Sequence, residues 1–226
     1  MSDPAGDPSP ISAAGTHEFE RVSSRTVYSG AILALRLDQV VMPGGHVAQR
    51  EVVEKYGAVA VVAVDDDGNL VLIDQYRHPI GRRLLELPAG LLDEPGESPL
   101  AAAERELAEE TGLAAASWST LVEMALSPGF TDEALRIYLA TGLSETDRPT
   151  PEMEEADLRV LRMPLDEAVR AALSGEIVNA TAIAGILALA AVRDKGIAPR
   201  PADAPWAGMP ADFLKRKSAG TTGNQD

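Results

Sequence analysis

The stretch AVAVVAVDDDGNLVLIDQYR, residues 58–77, reads as two apolar strands around a turn at Asp66-Asp67-Gly68-Asn69. Strands surround it. FERVSSRTVYSG, AILALRLDQVVMPGG and HVAQREVVEKYG alternate like strands over about 19–56, with a hairpin turn at Pro43-Gly44-Gly45. Further on come a short strand in RLLELPAG, strands near 116–126, 133–141 and 157–163, and helices at about 98–111, 165–173 and 178–194. Strands dominate and the helices are set among them, which predicts an α+β fold with a mixed sheet covered by helices on its faces. The three aspartates beside the first turn superficially suggest a calcium loop. The twelfth position counted from Asp65 is Tyr76 rather than Glu, so a plain β-turn is the expectation there.

The acidic balance, 35 Asp and Glu against 20 Lys and Arg for a net charge of −15, argues against binding a nucleic-acid backbone. There are no cysteines, which excludes disulfides and thiolate metal sites. No run of eighteen apolar residues is present and the N-terminus lacks a basic start and apolar stretch, so neither a membrane span nor a secretory signal is expected. The simple reading is a cytoplasmic protein. Residues 1–17 and 198–226, rich in Pro, Gly, Ala, Ser and Asp, are expected as mobile tails. Trp206, Met209, Phe213 and Leu214 could dock the second tail on the body, and Lys215-Arg216-Lys217 is expected to be solvated.

Acid is concentrated in GLLDEPGESPLAAAERELAEETGL, residues 90–113, where seven of twenty-four side chains are carboxylates. Ser98 followed by Pro99 starts a helix, and Gly112 suits the left-handed position past its end. Leu100, Ala103, Leu107 and Thr111 should face the core. Glu106, Glu109 and Glu110 stand at i, i+3 and i+4, on one adjacent face. Like charges so spaced cost roughly 0.2–0.5 kcal/mol per pair. They also occupy the last turn, where the helix dipole disfavours negative charge. A solvated charged face is the bland explanation. Two penalties accepted together beside Arg105, after a glycine-rich entry, favour a site for a hard divalent cation.

These residues resemble the box of the Nudix hydrolases, G-x5-E-x7-R-E-U-x-E-E-x-G-U, with U a bulky aliphatic. Glu97, seven residues, then Arg105 through Leu113 match every fixed position after the first glycine. One spacing departs: six residues rather than five separate Gly90 from Glu97. The resemblance implies a loop–helix–loop that binds Mg²⁺ or Mn²⁺ against the diphosphate of a substrate, with an α/β/α sandwich around it. By position it makes Glu106, Glu110 and Glu109 metal ligands, joined by the carbonyl of Ala89. Glu97 and Arg105 become structural, the arginine orienting the carboxylates. The metals would neutralise phosphate oxygens and acidify a water for attack on phosphorus.

Outside the box, QYRHPIGRRLLELPAGLLDEPGE, SPGFTDE and EIVNATAIAGILAL look like the ADP-ribose pyrophosphatase branch, closest to its actinobacterial members, and the likeness runs over about 20–195. Pro128, sixteen residues past Gly112, is a mark of that branch. The resemblance implies cleavage of ADP-ribose to AMP and ribose 5-phosphate. Arg77 would contact its phosphates, Gly90 and Pro128 would also bind substrate, and Glu133 would serve in substrate contact or metal support. The catalytic base would come from PEMEEADL, with Glu155 first, Glu154 next and Glu152 also available; each could instead be a solvated loop acid. Glu109 is a further catalytic candidate. Residues 18–56 would form a dimerisation region exchanged across a two-fold axis, and residues 57–197 the hydrolase domain. Tyr28 or Phe19 could wall the adenine, although core packing is the default for either. Two alternatives stand beside this: another nucleoside diphosphate sugar or dinucleotide as substrate, or a non-catalytic ligand sensor. Sensors of this kind normally lose box glutamates, which are all present here.

Overall fold

The structure, a computed structural model, describes residues 16–148 and 157–221. Three strands, β1 (Arg21–Ser29), β2 (Leu33–Val41) and β3 (Val47–Lys55), form a separate antiparallel sheet in the order β1-β2-β3. The second sheet holds β4 (Ala58–Val64), β5 (Asn69–Arg77), β6 (Arg82–Glu86), β7 (Ala89–Leu91), β8 (Leu113–Ala125), β9 (Ala134–Glu145), β10 (Arg159–Pro164) and β11 (Arg200–Pro201). Its order is β10-β5-β4-β9-β8-β11, with β6 on β5 and β7 on β4. The β4–β9 pair is parallel and the other pairs are antiparallel, so the sheet is mixed.

Every residue of β4 is buried, and its alternation explains the three layers. Val59, Val61 and Ala63 face the helix α1 (Pro99–Thr111), which contributes Ala102, Ala103 and Leu107. Ala60, Val62 and Val64 face the opposite layer, where α2 (Leu165–Ser174) and α3 (Ala180–Lys195) bring Ala168, Ala182, Ile186 and Leu189. The α/β/α arrangement with a separate N-terminal sheet is therefore present as expected. The aspartate turn is a plain one as well. Asp65 accepts from the amides of Asp67 and Asn69, at 3.1 and 2.8 Å, and Gly68 takes φ +84°.

The second tail carries regular structure rather than the expected mobility, and it docks through Trp206, Phe213 and Leu214, three of the four apolar residues expected to do so. Residues 200–221 carry β11 and a fourth helix, α4 (Asp212–Thr221). Phe213 is fully buried and meets Tyr56 edge-on at 4.6 Å between ring centroids. Arg216 is only partly solvated: it donates to buried Glu54 at 2.6–2.8 Å and to Thr26 at 2.8 Å, tying α4 to the N-terminal sheet. Trp206 lies 5.0 Å from the Arg136 guanidinium, and only Met209 of the four apolar residues stays exposed. Phe213→Ala should cost about 3–5 kcal/mol, the usual range for emptying a buried phenyl site. A lower midpoint in urea and early proteolysis within α4 would show it; an unchanged midpoint would mean that α4 adds nothing to stability.

Phe19 and Tyr28 also differ from the default. They are 60% and 58% exposed rather than packed in the core. All nine residues of β1 are exposed, Val22 and Val27 among them.

Candidate active site

Helix α1 is set by its ends. Ser98 accepts from the Ala101 amide at 3.2 Å, Pro99 takes the first turn, and Gly112 closes the helix at φ +69°. With Ala102, Ala103 and Leu107 pressed on the sheet, Glu106 and Glu110 turn towards β7 and are buried, at 9% and 3% exposure. Glu110 accepts the Ala89 amide at 2.8 Å. Glu106 lies against Gly90: a Cβ there would stand 1.9 Å from its Oε1. The glycine is therefore a requirement of close approach. Just beyond, Leu91 ends β7 and Leu92 sinks to 9% exposure in the α1-side core.

Arg105 gathers the carboxylates around it. Its guanidinium bonds both oxygens of Glu97 at 3.0 Å, Glu106 at 2.7 Å and Glu109 at 3.0 Å. Its hydrogen bonds to Glu97 hold that carboxyl below the usual range, and its own pKa is raised, chiefly by the same contact. Arg105 thus ties three acids of the helix and its entry loop to one guanidinium. Among the described residues no three His, Cys, Asp or Glu side chains are gathered as a ready-made metal cluster, since Arg105 draws Glu106 and Glu109 to itself. The donor set still fits a hard cation. Three carboxylates, those of Glu97, Glu106 and Glu109, share this guanidinium, buried Glu110 lies one turn beyond Glu106, and all these donors are oxygens.

Ala89 and Gly90 form part of the wall of a cleft of about 470 Å³, within the range of small-molecule sites. Arg77 lines it and grips Glu86 through two parallel bonds of 2.9 and 2.7 Å. Glu133 lines it too, bonded by the Lys55 ammonium at 2.5 Å. Pro128 is exposed on the loop before Glu133 and does not line the cleft. In that loop Ser127, at φ +47°, is the non-glycine residue with a left-handed backbone among the described residues. The loop also pairs with β3: the Val53 amide donates to the Phe130 carbonyl at 2.7 Å, and the Asp132 amide to that of Val53 at 3.2 Å.

Glu152, Glu154 and Glu155 lie outside the described residues. The two ends of their segment are placed. Arg148 donates to the Glu109 carbonyl at the C-terminal end of α1, at 2.9 Å, and Asp157 pairs with Arg83 at 2.5 Å. Sequence reasoning had not singled out Lys55, Glu86 or Arg148. Only Glu86 had a local signal, as a lone acid inside the apolar run LLELP, which burial obliges to find a partner.

Comparison with known proteins agrees with this layout. The profile of the NUDIX domain matches residues 54–184, and that of the nucleoside diphosphate sugar hydrolase N-terminal domain matches residues 19–53. The chain is 54% identical to an ADP-ribose pyrophosphatase of Mycobacterium tuberculosis, over 89% of this chain and 98% of that one. It is 36% identical to an ADP-ribose pyrophosphatase of Bacillus subtilis, over 72% and 88% of the two chains. A crystal structure titled ADP compounds hydrolase superposes with a TM-score of 0.69 at 22% identity, covering 80% of this chain and 98% of that one. That last likeness concerns the fold alone.

Proposed function

The chain belongs to the Nudix hydrolase family, and from that premise we propose that it hydrolyses ADP-ribose to AMP and ribose 5-phosphate with Mg²⁺ or Mn²⁺. The observation that carries the reading is the 54% identity running through 98% of the mycobacterial ADP-ribose pyrophosphatase. The site supports it. The oxygens of Glu106, Glu109 and Glu110 and the Ala89 carbonyl would hold the cation. Such a cation, when bound, neutralises phosphate oxygens and acidifies water. Arg77, held by Glu86 through two parallel bonds, would bring the charge of its guanidinium to the phosphates, and Glu133 lies beside the same cleft. A carboxylate of the 152–155 segment, Glu155 first and Glu154 next, takes the proton from the attacking water. One water is consumed, one P–O bond forms and one breaks, so most of the rate comes from positioning and fixed charge.

Among the described residues β1 is an edge strand with exposed apolar side chains, which supports a homodimer with exchanged N-terminal strands. A second reading keeps the chemistry and changes the substrate to another nucleoside diphosphate sugar, as the matched N-terminal profile suggests. A panel of ADP-ribose, ADP-glucose and NADH with Mg²⁺ decides. The account expects ADP-ribose to have the highest kcat/KM. Preference for ADP-glucose would establish the second reading, and no turnover of any diphosphate would remove both.

A further inference from the structure

The last helix stands behind one part of the cleft wall. Ile32, Lys55 and Leu91 line the cleft, and they come from three segments: the β1–β2 connection, the end of β3 and the end of β7. The first two belong to one sheet and the third to the other, so no shared ladder of backbone bonds sets their spacing. Helix α4 meets all three segments. The Lys217 ammonium donates to the Gly30 carbonyl at 3.3 Å, Arg216 holds Glu54, and Phe213 packs with Ala34, Tyr56 and Leu91. Just before the helix, Pro210 closes on the link between the sheets, where a Cβ on Gly57 would stand 3.3 Å from its ring. There the Leu92 amide donates to the Gly57 carbonyl at 2.8 Å.

Stability accounts for Phe213 but poorly for Arg216. The Arg216 and Glu54 side chains are 33% and 2% exposed, and drawing such a pair out of water costs about as much as its attraction returns. What the pair does fix is direction, because it turns α4 onto β3 while Phe213 presses on Leu91. Leu91 is the end of the strand that carries Ala89 and Gly90. The Ala89 amide is bonded by Glu110, and Gly90 lies against Glu106. A displacement of β7 therefore reaches both buried carboxylates of the helix.

We infer that α4 positions the active site. Phe213 and Arg216 hold β7 and the N-terminal sheet at one spacing, so that the Ala89 carbonyl and the carboxylates of α1 present their oxygens to a single cation, a role that rests on the metal-dependent reading of the site. Neither residue touches the cation or the substrate; both are positioning residues.

The test is titration of the full chain with Mn²⁺, followed by electron paramagnetic resonance of the free ion well below the unfolding midpoint of each variant. Turnover of ADP-ribose is measured alongside. Phe213→Ala should weaken Mn²⁺ by about tenfold, the usual loss when a support behind a metal ligand is removed, and Phe213→Leu should recover most of it. Arg216→Met leaves the core intact and should weaken Mn²⁺ in the same direction. Leu189→Ala controls for lost stability: this fully buried leucine lies about two turns of α3 beyond Thr181 of the cleft, and its truncation costs about 2–5 kcal/mol. That variant should keep Mn²⁺ affinity within about twofold of wild type. Wild-type Mn²⁺ affinity in Arg216→Met, or in Phe213→Ala where it folds, would overturn the inference. So would an equal loss in Leu189→Ala, because the effect would then be general loosening. A wild-type protein that binds no Mn²⁺ also overturns it. If Mn²⁺ binding depends on Phe213 and Arg216 but ADP-ribose is not turned over, the substrate assignment fails and the role of α4 stands.

Discussion

Glu106→Gln should lower kcat on ADP-ribose by at least about a hundredfold to a thousandfold while the protein stays folded. The reason is electrostatic. Glu106 is 9% exposed, accepts from Arg105 and lies against Gly90, itself a lining residue of the cleft. The amide keeps the size of the side chain and its acceptor oxygen, so packing changes little. It removes one full negative charge from the face that would hold the cation. A melting temperature close to wild type, together with a raised requirement for Mg²⁺ or Mn²⁺, would be the signature. Wild-type turnover would refute the assignment of Glu106. A collapse in stability would instead mean that the charge mainly serves the Arg105 network.

Gly90→Ala should have an effect of similar size by a different route. The new Cβ would fall 1.9 Å from Glu106 Oε1 and 2.0 Å from its carboxyl carbon, far inside contact distance. The backbone of Gly90 is not among the glycines with positive φ, so alanine strains no torsion there. The conflict is with the end of a side chain that can swing aside. The chain should therefore fold with a modest loss of stability, while the carboxylate moves by an ångström or more. Displacements of that order cost about a hundredfold in rate. Activity near wild type would show that the carboxylate still functions when displaced. Combining Gly90→Ala with Glu106→Gln should add little further loss, because both act on one group.

The helix bearing the acids was legible because its signals are local. Ser98, Pro99 and Gly112 mark its ends, and the i, i+3, i+4 spacing of Glu106, Glu109 and Glu110 places them on one face whatever surrounds them. The apolar run of β4 likewise announced a strand needing cover. What stayed hidden depends on distant partners. Phe213 sits in a segment with tail-like composition, and nothing near it announces that Tyr56 and Ala34 will enclose it. Arg216 finds Glu54 at a separation of 162 residues, and Lys55 finds Glu133 at 78. No periodicity carries such pairings. Phe19 and Tyr28 differ from the core-packing default for a related reason: an aromatic in or beside an alternating strand looks like core until the covering layer is known, and among the described residues both are left more than half exposed.

The most direct test of the account follows one reaction. Purified wild-type protein is incubated with ADP-ribose in the presence of Mg²⁺, in the presence of Mn²⁺, and with a chelator, and the products are identified by mass spectrometry. The account predicts AMP and ribose 5-phosphate in equal amounts, formed with either cation and not with the chelator. Intact ADP-ribose under all three conditions, or cleavage to ADP and ribose, would contradict it.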